Sequence, residues 1–153
     1  MNRVLFSSAS DHWATPDEVR RALDEEFQLD FDPCPLRSME SGLSIAWSGK
    51  VFCNPPYSKI REFLQKGLRH LSAKDADLLV FLLPSRTDTS WFHEYCLRAR
   101  EIRFLKGRLK FGNAKNSAPF PSMIVVFEEW QMPRIFEDAY DSVDKSYEQV
   151  KLL

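Results

Sequence analysis

The chain has 153 residues, 44% hydrophobic and 28% charged, a size and balance that fit one soluble globular domain with a sizeable core. No apolar run approaches a membrane span and "MNRVLFSSAS" is too short in its apolar part for a secretory signal, so a cytoplasmic protein is expected. A net charge of -1 argues against a coat of nucleic acid over the whole surface. Three cysteines without a CxxC pair or a Cys/His cluster encode neither a disulfide framework nor a structural zinc.

Thr15-Pro16-Asp17-Glu18 reads as cap, first-turn proline and first-turn acids, and Val19, Leu23 and Phe27 follow at helical spacing, which predicts a helix from about Pro16 to Phe27. "FQLDFDP" alternates toward Pro33 and predicts a short strand ending at Asp32. "KVFC" is the next strand. Ser58 is placed to cap a helix with Ile60, Phe63, Leu64, Gly67, Leu68 and Leu71 on one face. "DLLVFLLPS" is apolar on nearly every position, the mark of a strand covered on both sides. Thr87 to Thr89 start a further helix carrying Trp91 and Tyr95, which are expected in the core, and "EIRFL" and "SMIVVFE" are strands joined by a polar connection. From Pro133 the residues Phe136, Tyr140, Val143, Tyr147 and Val150 form the stripe of an amphipathic helix. The organisation is therefore an α/β layered domain over 1–132 and a closing helix over 133–153 packed on it, rather than a dimerisation seam. A monomer or weak dimer is expected.

Charge is unevenly placed along this order. The segment from Arg98 to Lys115 is strongly basic and the end from Glu128 mainly acidic. Arg108, Lys110, Lys115 and Asn116 fall on the connection between the last two strands, either a solvated face or, since loops carry function, a binding surface. His12, His70 and His93 have no ligand spacing, so no metal is expected.

The most informative stretch is "KVFCNPPYS". Prolines cannot donate to a sheet ladder, so Pro55 and Pro56 end the strand abruptly, and the residue before each is held extended. The chain leaves the carboxyl end of a parallel strand in a stiff loop, the edge at which open α/β sheets bind ligands. Acceptors outnumber donors there, because two of the residues lack N–H groups. An amino group on a flat ring suits such a loop: Asn54 Oδ1 and a proline carbonyl accept its two protons, and Tyr57 stacks on the ring.

"NPPY" after an apolar strand resembles the catalytic motif of amino methyltransferases. The wider series "DHWATP", "FDPCP", "FCNPPYS", "LLPSRTDTSWFHE", "FLKGRLKF" and "PSMIVVF" is similar to the small phage-type DNA N6-adenine methyltransferases over about Asp11 to Phe127. The resemblance implies S-adenosyl-L-methionine as cofactor and double-stranded DNA as partner. It places the flipped adenine at Asn54, Pro55, Pro56 and Tyr57, and the cofactor at Trp13, Thr15, Pro16, Asp32, Pro33 and Cys34. DNA contacts fall on Arg86, Arg108, Lys110, Lys115 and Asn116. "DPCPLRSMESGL" has no GxG turn, only Glu40 is a nearby acid, and a short loop separates Asp32 from "KVFC". The implied fold is thus a reduced Rossmann-like methyltransferase sheet of about five strands, with an antiparallel hairpin at one edge and helices on both faces. Transfer to RNA bases or to protein glutamine, and a catalytically silent DNA-binding module, are the alternatives.

Overall fold

The fold is that of a computed structural model, which describes residues 13–36, 38–112 and 115–129. Helix α1 (Asp17–Phe27) starts one residue later than the sequence pattern suggests, with Pro16 at the cap and no side-chain capping bond. Thr15 precedes the cap position, and its hydroxyl accepts from the Asn54 amide at 3.1 Å. Gln28 ends the helix in the left-handed conformation, φ 56° and ψ 54°, and its N–H closes on the Asp24 carbonyl.

The strand expected at "FQLDFDP" is reduced to a single parallel bridge between Phe31 and Val51. Pairing stops there for a local reason: Pro33 has no N–H to offer, and the Asp32 carboxylate turns back to accept the Cys34 N–H at 2.8 Å. The described sheet therefore has four strands. They are β1 (Gly49–Cys53), β2 (Ala76–Pro84), β3 (Glu101–Phe104) and β4 (Ser122–Phe127), in the order β1-β2-β4-β3. β1 and β2 are parallel and joined through α2 (Ile60–Ser72), whereas β4 runs antiparallel to both β2 and β3. The antiparallel β3–β4 pair at one edge matches the expected hairpin. β1 opens at Gly49, φ +66°, where a Cβ would stand 2.5 Å from Asp30 Oδ1, an oxygen that accepts the Lys50 N–H.

Side chains alternate strictly across the sheet. Val51, Cys53, Leu79, Phe81, Leu83, Met123, Val125 and Phe127 face one core, under α2 and α3 (Ser90–Glu94). Phe52, Leu78, Val80, Leu82, Ile124 and Val126 face the other, shared with Leu23 of α1 and Phe111. Both faces being covered explains the apolar run of β2, and all six positions read as the buried face of α2 are buried. Tyr57–Lys59 form a short 3-10 turn before α2, and Lys59 rather than Ser58 holds the cap position, without a side-chain bond of its own. Thr89 does cap α3, its hydroxyl accepting from Phe92 N at 3.3 Å. Trp91 lies on α3, but the helix is shorter than expected and Tyr95 stands just past its end; both side chains are partly buried against the first core. No described helix is long and apolar enough to cross a membrane. The amphipathic stripe from Pro133 lies outside the described residues.

Candidate active site

The carboxyl ends of the parallel strands β1 and β2 and the start of antiparallel β4 meet at one edge of the sheet, which brings the Asn54–Tyr57 turn beside Ser85, Arg86 and Phe120–Ser122. All four buried side-chain polar atoms that lack a hydrogen-bond partner among the described residues lie there: Asn54 Oδ1, Tyr57 Oη, Ser85 Oγ and Ser122 Oγ. Orphaned polar atoms are costly, on the order of 1–3 kcal/mol each, so their clustering at one edge marks a place kept for something else.

Asn54 is only 2% exposed. Its Nδ2 donates to the Trp13 carbonyl at 2.5 Å and to Thr15 Oγ1 at 3.1 Å. A backbone carbonyl can only accept, so the amide nitrogen must face Trp13, and this fixes Oδ1 as the end without a partner. Pro55 is buried behind it. The Pro56 carbonyl accepts the Lys59 N–H at 2.9 Å, so within the turn that carbonyl is already engaged. The ring of Tyr57 meets Phe120 edge-on at 5.2 Å. Burial pushes its phenol well above the ordinary tyrosine range, and the nearby Arg86 charge partly opposes this.

Two cavities flank the turn and share Cys34. One, about 260 Å³, is lined by Trp13, Thr15, Asp17, Arg20, Asp32 and Asn54 among others. The second, about 240 Å³, is bounded by Pro33, Glu40, Gly42, Pro56 and Phe63. Each alone is smaller than the roughly 300 Å³ of ordinary small-molecule pockets, and together they reach that range. Arg20 Nη1 holds Asp32 at 2.9 Å while its Nε holds Asp24 at 3.0 Å. The first cavity thus combines carboxylates, a guanidinium and an aromatic ring, a donor set that suits a cation bearing amino-acid groups. The second offers apolar walls and the Glu40 carboxylate, which suit a flat base and a diol. The residues fit S-adenosylmethionine.

Of the residues expected at the cofactor, Trp13, Thr15, Asp32 and Cys34 line the first cavity, and Pro33 and Cys34 line the second. Pro16 lines neither; its carbonyl serves α1 by accepting from Arg20 N at 3.0 Å. Sequence reasoning missed Arg20, which orients Asp32. It also missed Phe111 and Phe120, whose rings stand 5.5 and 5.7 Å from Trp13. The available signal for the last two was a pair of aromatic residues inside an otherwise polar connection.

The basic run is not one patch. Arg100 pairs with Glu128 at 3.0 Å, and Arg103 forks between Glu26 and Glu101 at 2.5 Å each. Arg108, Lys110, Lys115 and Asn116 are exposed, and none of the three cations is paired with a carboxylate among the described residues. The connection that carries them is tied to the site, Gly112 N donating to the Ala14 carbonyl at 3.0 Å. Arg86 is exposed at the same edge beside Tyr57. No group of three or more His, Cys, Asp or Glu side chains among the described residues is placed to hold a metal.

No curated protein and no solved structure matches the chain. A family model described as DNA N-6-adenine-methyltransferase (Dam) matches residues 4–151, a span that takes in the turn, both cavities and the basic connection. The chain therefore belongs to the DNA N-6-adenine-methyltransferase (Dam) family.

Proposed function

We propose that this protein transfers a methyl group from S-adenosylmethionine to the exocyclic N6 of an adenine flipped out of double-stranded DNA, in the cytoplasm of a bacterial or phage-infected cell. The observation that carries the proposal is the Asn54 carboxamide, anchored through its nitrogen and left with a buried, unpartnered oxygen at the ligand-binding edge of the sheet. The four strands and the Phe31 bridge are read as a reduced Rossmann-like methyltransferase core.

The cofactor, when bound, supplies the methyl group on a sulfonium. Asp32, positioned by Arg20, and the Trp13 face would hold its cationic end, and Glu40 with the Pro33 and Phe63 walls its nucleoside end. Asn54 Oδ1 accepts one N6 proton. The Pro55 carbonyl accepts the other, since that of Pro56 is engaged by Lys59. Two acceptors so placed draw the nitrogen lone pair out of conjugation with the ring and aim it, which is orientational and electrostatic catalysis. An amide oxygen is too weak a base to keep a proton, so Asn54 positions the nitrogen and the departing proton passes to solvent. Tyr57 stacks on the extruded base, worth about 1–3 kcal/mol. Base extrusion is needed because N6 in a duplex cannot enter a pocket of this depth. Arg86, Arg108, Lys110, Lys115 and Asn116 contact the DNA around the site.

The test is to incubate the protein with methyl-labelled S-adenosylmethionine and, separately, duplex DNA, structured RNA and a protein extract. The labelled polymer is then digested and its modified unit identified. N6-methyladenine in DNA is expected. Label on cytosine N4 would refute the target base, label in RNA or glutamine the DNA substrate, and no label with no cofactor binding would favour the silent DNA-binding module.

A further inference from the structure

We infer that Cys34 and Cys53 are a reactive thiol pair, which a peroxide converts to an intramolecular disulfide in the wall of the two cavities. The pairing stands on geometry, and its consequence for cofactor binding rests on the methyltransferase reading above. The two Sγ atoms are 3.9 Å apart. Their segments are held together independently of the sulfurs, by the parallel Phe31–Val51 bridge and by Phe52 N donating to the Phe31 carbonyl at 2.8 Å. Closing the gap to bonding distance takes about 2 Å of sulfur movement, within reach of a side-chain rotation.

The two thiols differ in a way that sets the order of events. Cys34 is partly exposed and lines both cavities, whereas Cys53 is wholly buried in the core. Burial and the neighbouring Cys34 hold the Cys53 thiol far above the ordinary range, so it is the poorer first nucleophile. The Cys34 thiolate attacks one peroxide oxygen. The O–O bond breaks, leaving a sulfenic acid on Cys34 and a hydroxide that is protonated to water. The Cys53 sulfur then attacks the Cys34 sulfur; the S–O bond breaks, and the departing hydroxide takes the Cys53 proton. The balance is two thiols and one hydrogen peroxide giving one disulfide and two waters, with two electrons passing from sulfur to oxygen. Cys96, 0% exposed and with no sulfur partner among the described residues, is an internal control. Because Cys34 is the wall common to both cavities and Cys53 precedes Asn54, the bond reshapes both cavities where they adjoin the acceptor.

The experiment treats the full chain with hydrogen peroxide and maps its peptides without reduction. A Cys34–Cys53 cross-linked peptide that disappears with dithiothreitol is expected, with Cys96 still alkylatable after denaturation. In Cys53→Ala, Cys34 should instead stop at a sulfenic acid trapped by dimedone, a readout that does not depend on activity. Oxidation of Cys34 to sulfinic acid in the unaltered chain with Cys53 still free, or disulfides formed only between chains, would overturn the pairing. Calorimetry with S-adenosylmethionine should show roughly tenfold weaker binding to the oxidised than to the reduced protein. Equal affinities would overturn the cofactor consequence. Failure of the reduced protein to bind the cofactor would overturn the methyltransferase reading, while peptide mapping decides the thiol pair by itself.

Discussion

The Asn54 carboxamide donates from its nitrogen to Trp13 and Thr15 and keeps its oxygen without a partner, so one end of the group is anchored and the other is left open. The sequence showed an amide ahead of two prolines. It could not show which end would be free, because the partners lie about forty residues upstream on a segment that only folding brings near. Asn54→Ala removes the acceptor together with the amide that holds Trp13 and Thr15 in the wall of the first cavity. It should lower the methyl-transfer rate about 10²–10³-fold at saturating cofactor, beyond whatever cofactor affinity is lost with those two bonds. Single-turnover kinetics beside calorimetry measure the two separately. Near-normal turnover would sink the acceptor role.

Among the elements, α2 shows how far periodicity reaches. Ile60, Phe63, Leu64, Gly67, Leu68 and Leu71 were legible as one face from spacing alone, since a 3.6-residue repeat needs no knowledge of what it packs against. The role of Gly67 was not legible. A Cβ there would stand 2.8 Å from the Trp47 ring, 3.1 Å from Leu79 and 3.2 Å from Phe81. Trp47 cannot easily retreat, because its Nε1 donates to the Gly42 carbonyl at 2.8 Å. Gly67→Ala gains about 1 kcal/mol of helix propensity and loses about 1–3 kcal/mol to overpacking, so a net destabilisation of roughly 1 kcal/mol is expected. Urea unfolding should show a lower midpoint with an unchanged slope. A higher midpoint would mean that Trp47 yields.

Across the whole molecule, charge is sorted by what the fold leaves unpaired. A net charge of -1 hides an uneven surface. Arg100 and Arg103 are tied to Glu128, Glu26 and Glu101, while Arg108 and Lys110 stand exposed on the connection that Gly112 ties to Ala14. Neutralising Arg108 or Lys110 should therefore weaken binding to every DNA sequence and make the slope of log affinity against log salt shallower by about one unit. The same change at Arg100 should leave the slope unaltered. Equal slopes for the Arg108 and Arg100 variants, measured by fluorescence titration from low to moderate salt, would make the connection a merely solvated face.

The sequence by itself determined the α/β layering, the helices α1 and α2, the start of α3, the strands β1 to β4 and the turn at Asn54–Tyr57. Those depend on local steric limits and on burial periods, which are properties of adjacent residues. The strand expected before Pro33 was overestimated for the same reason. Alternation reports a pleat, and only the partner decides whether the ladder continues past Phe31. The insertion of β4 between β2 and β3, the meeting of Trp13 with Asn54, the Arg20–Asp32 pair and the splitting of the basic run were decided by tertiary structure. Each is a contact between segments distant in sequence, fixed when two apolar faces of one sheet are buried at once.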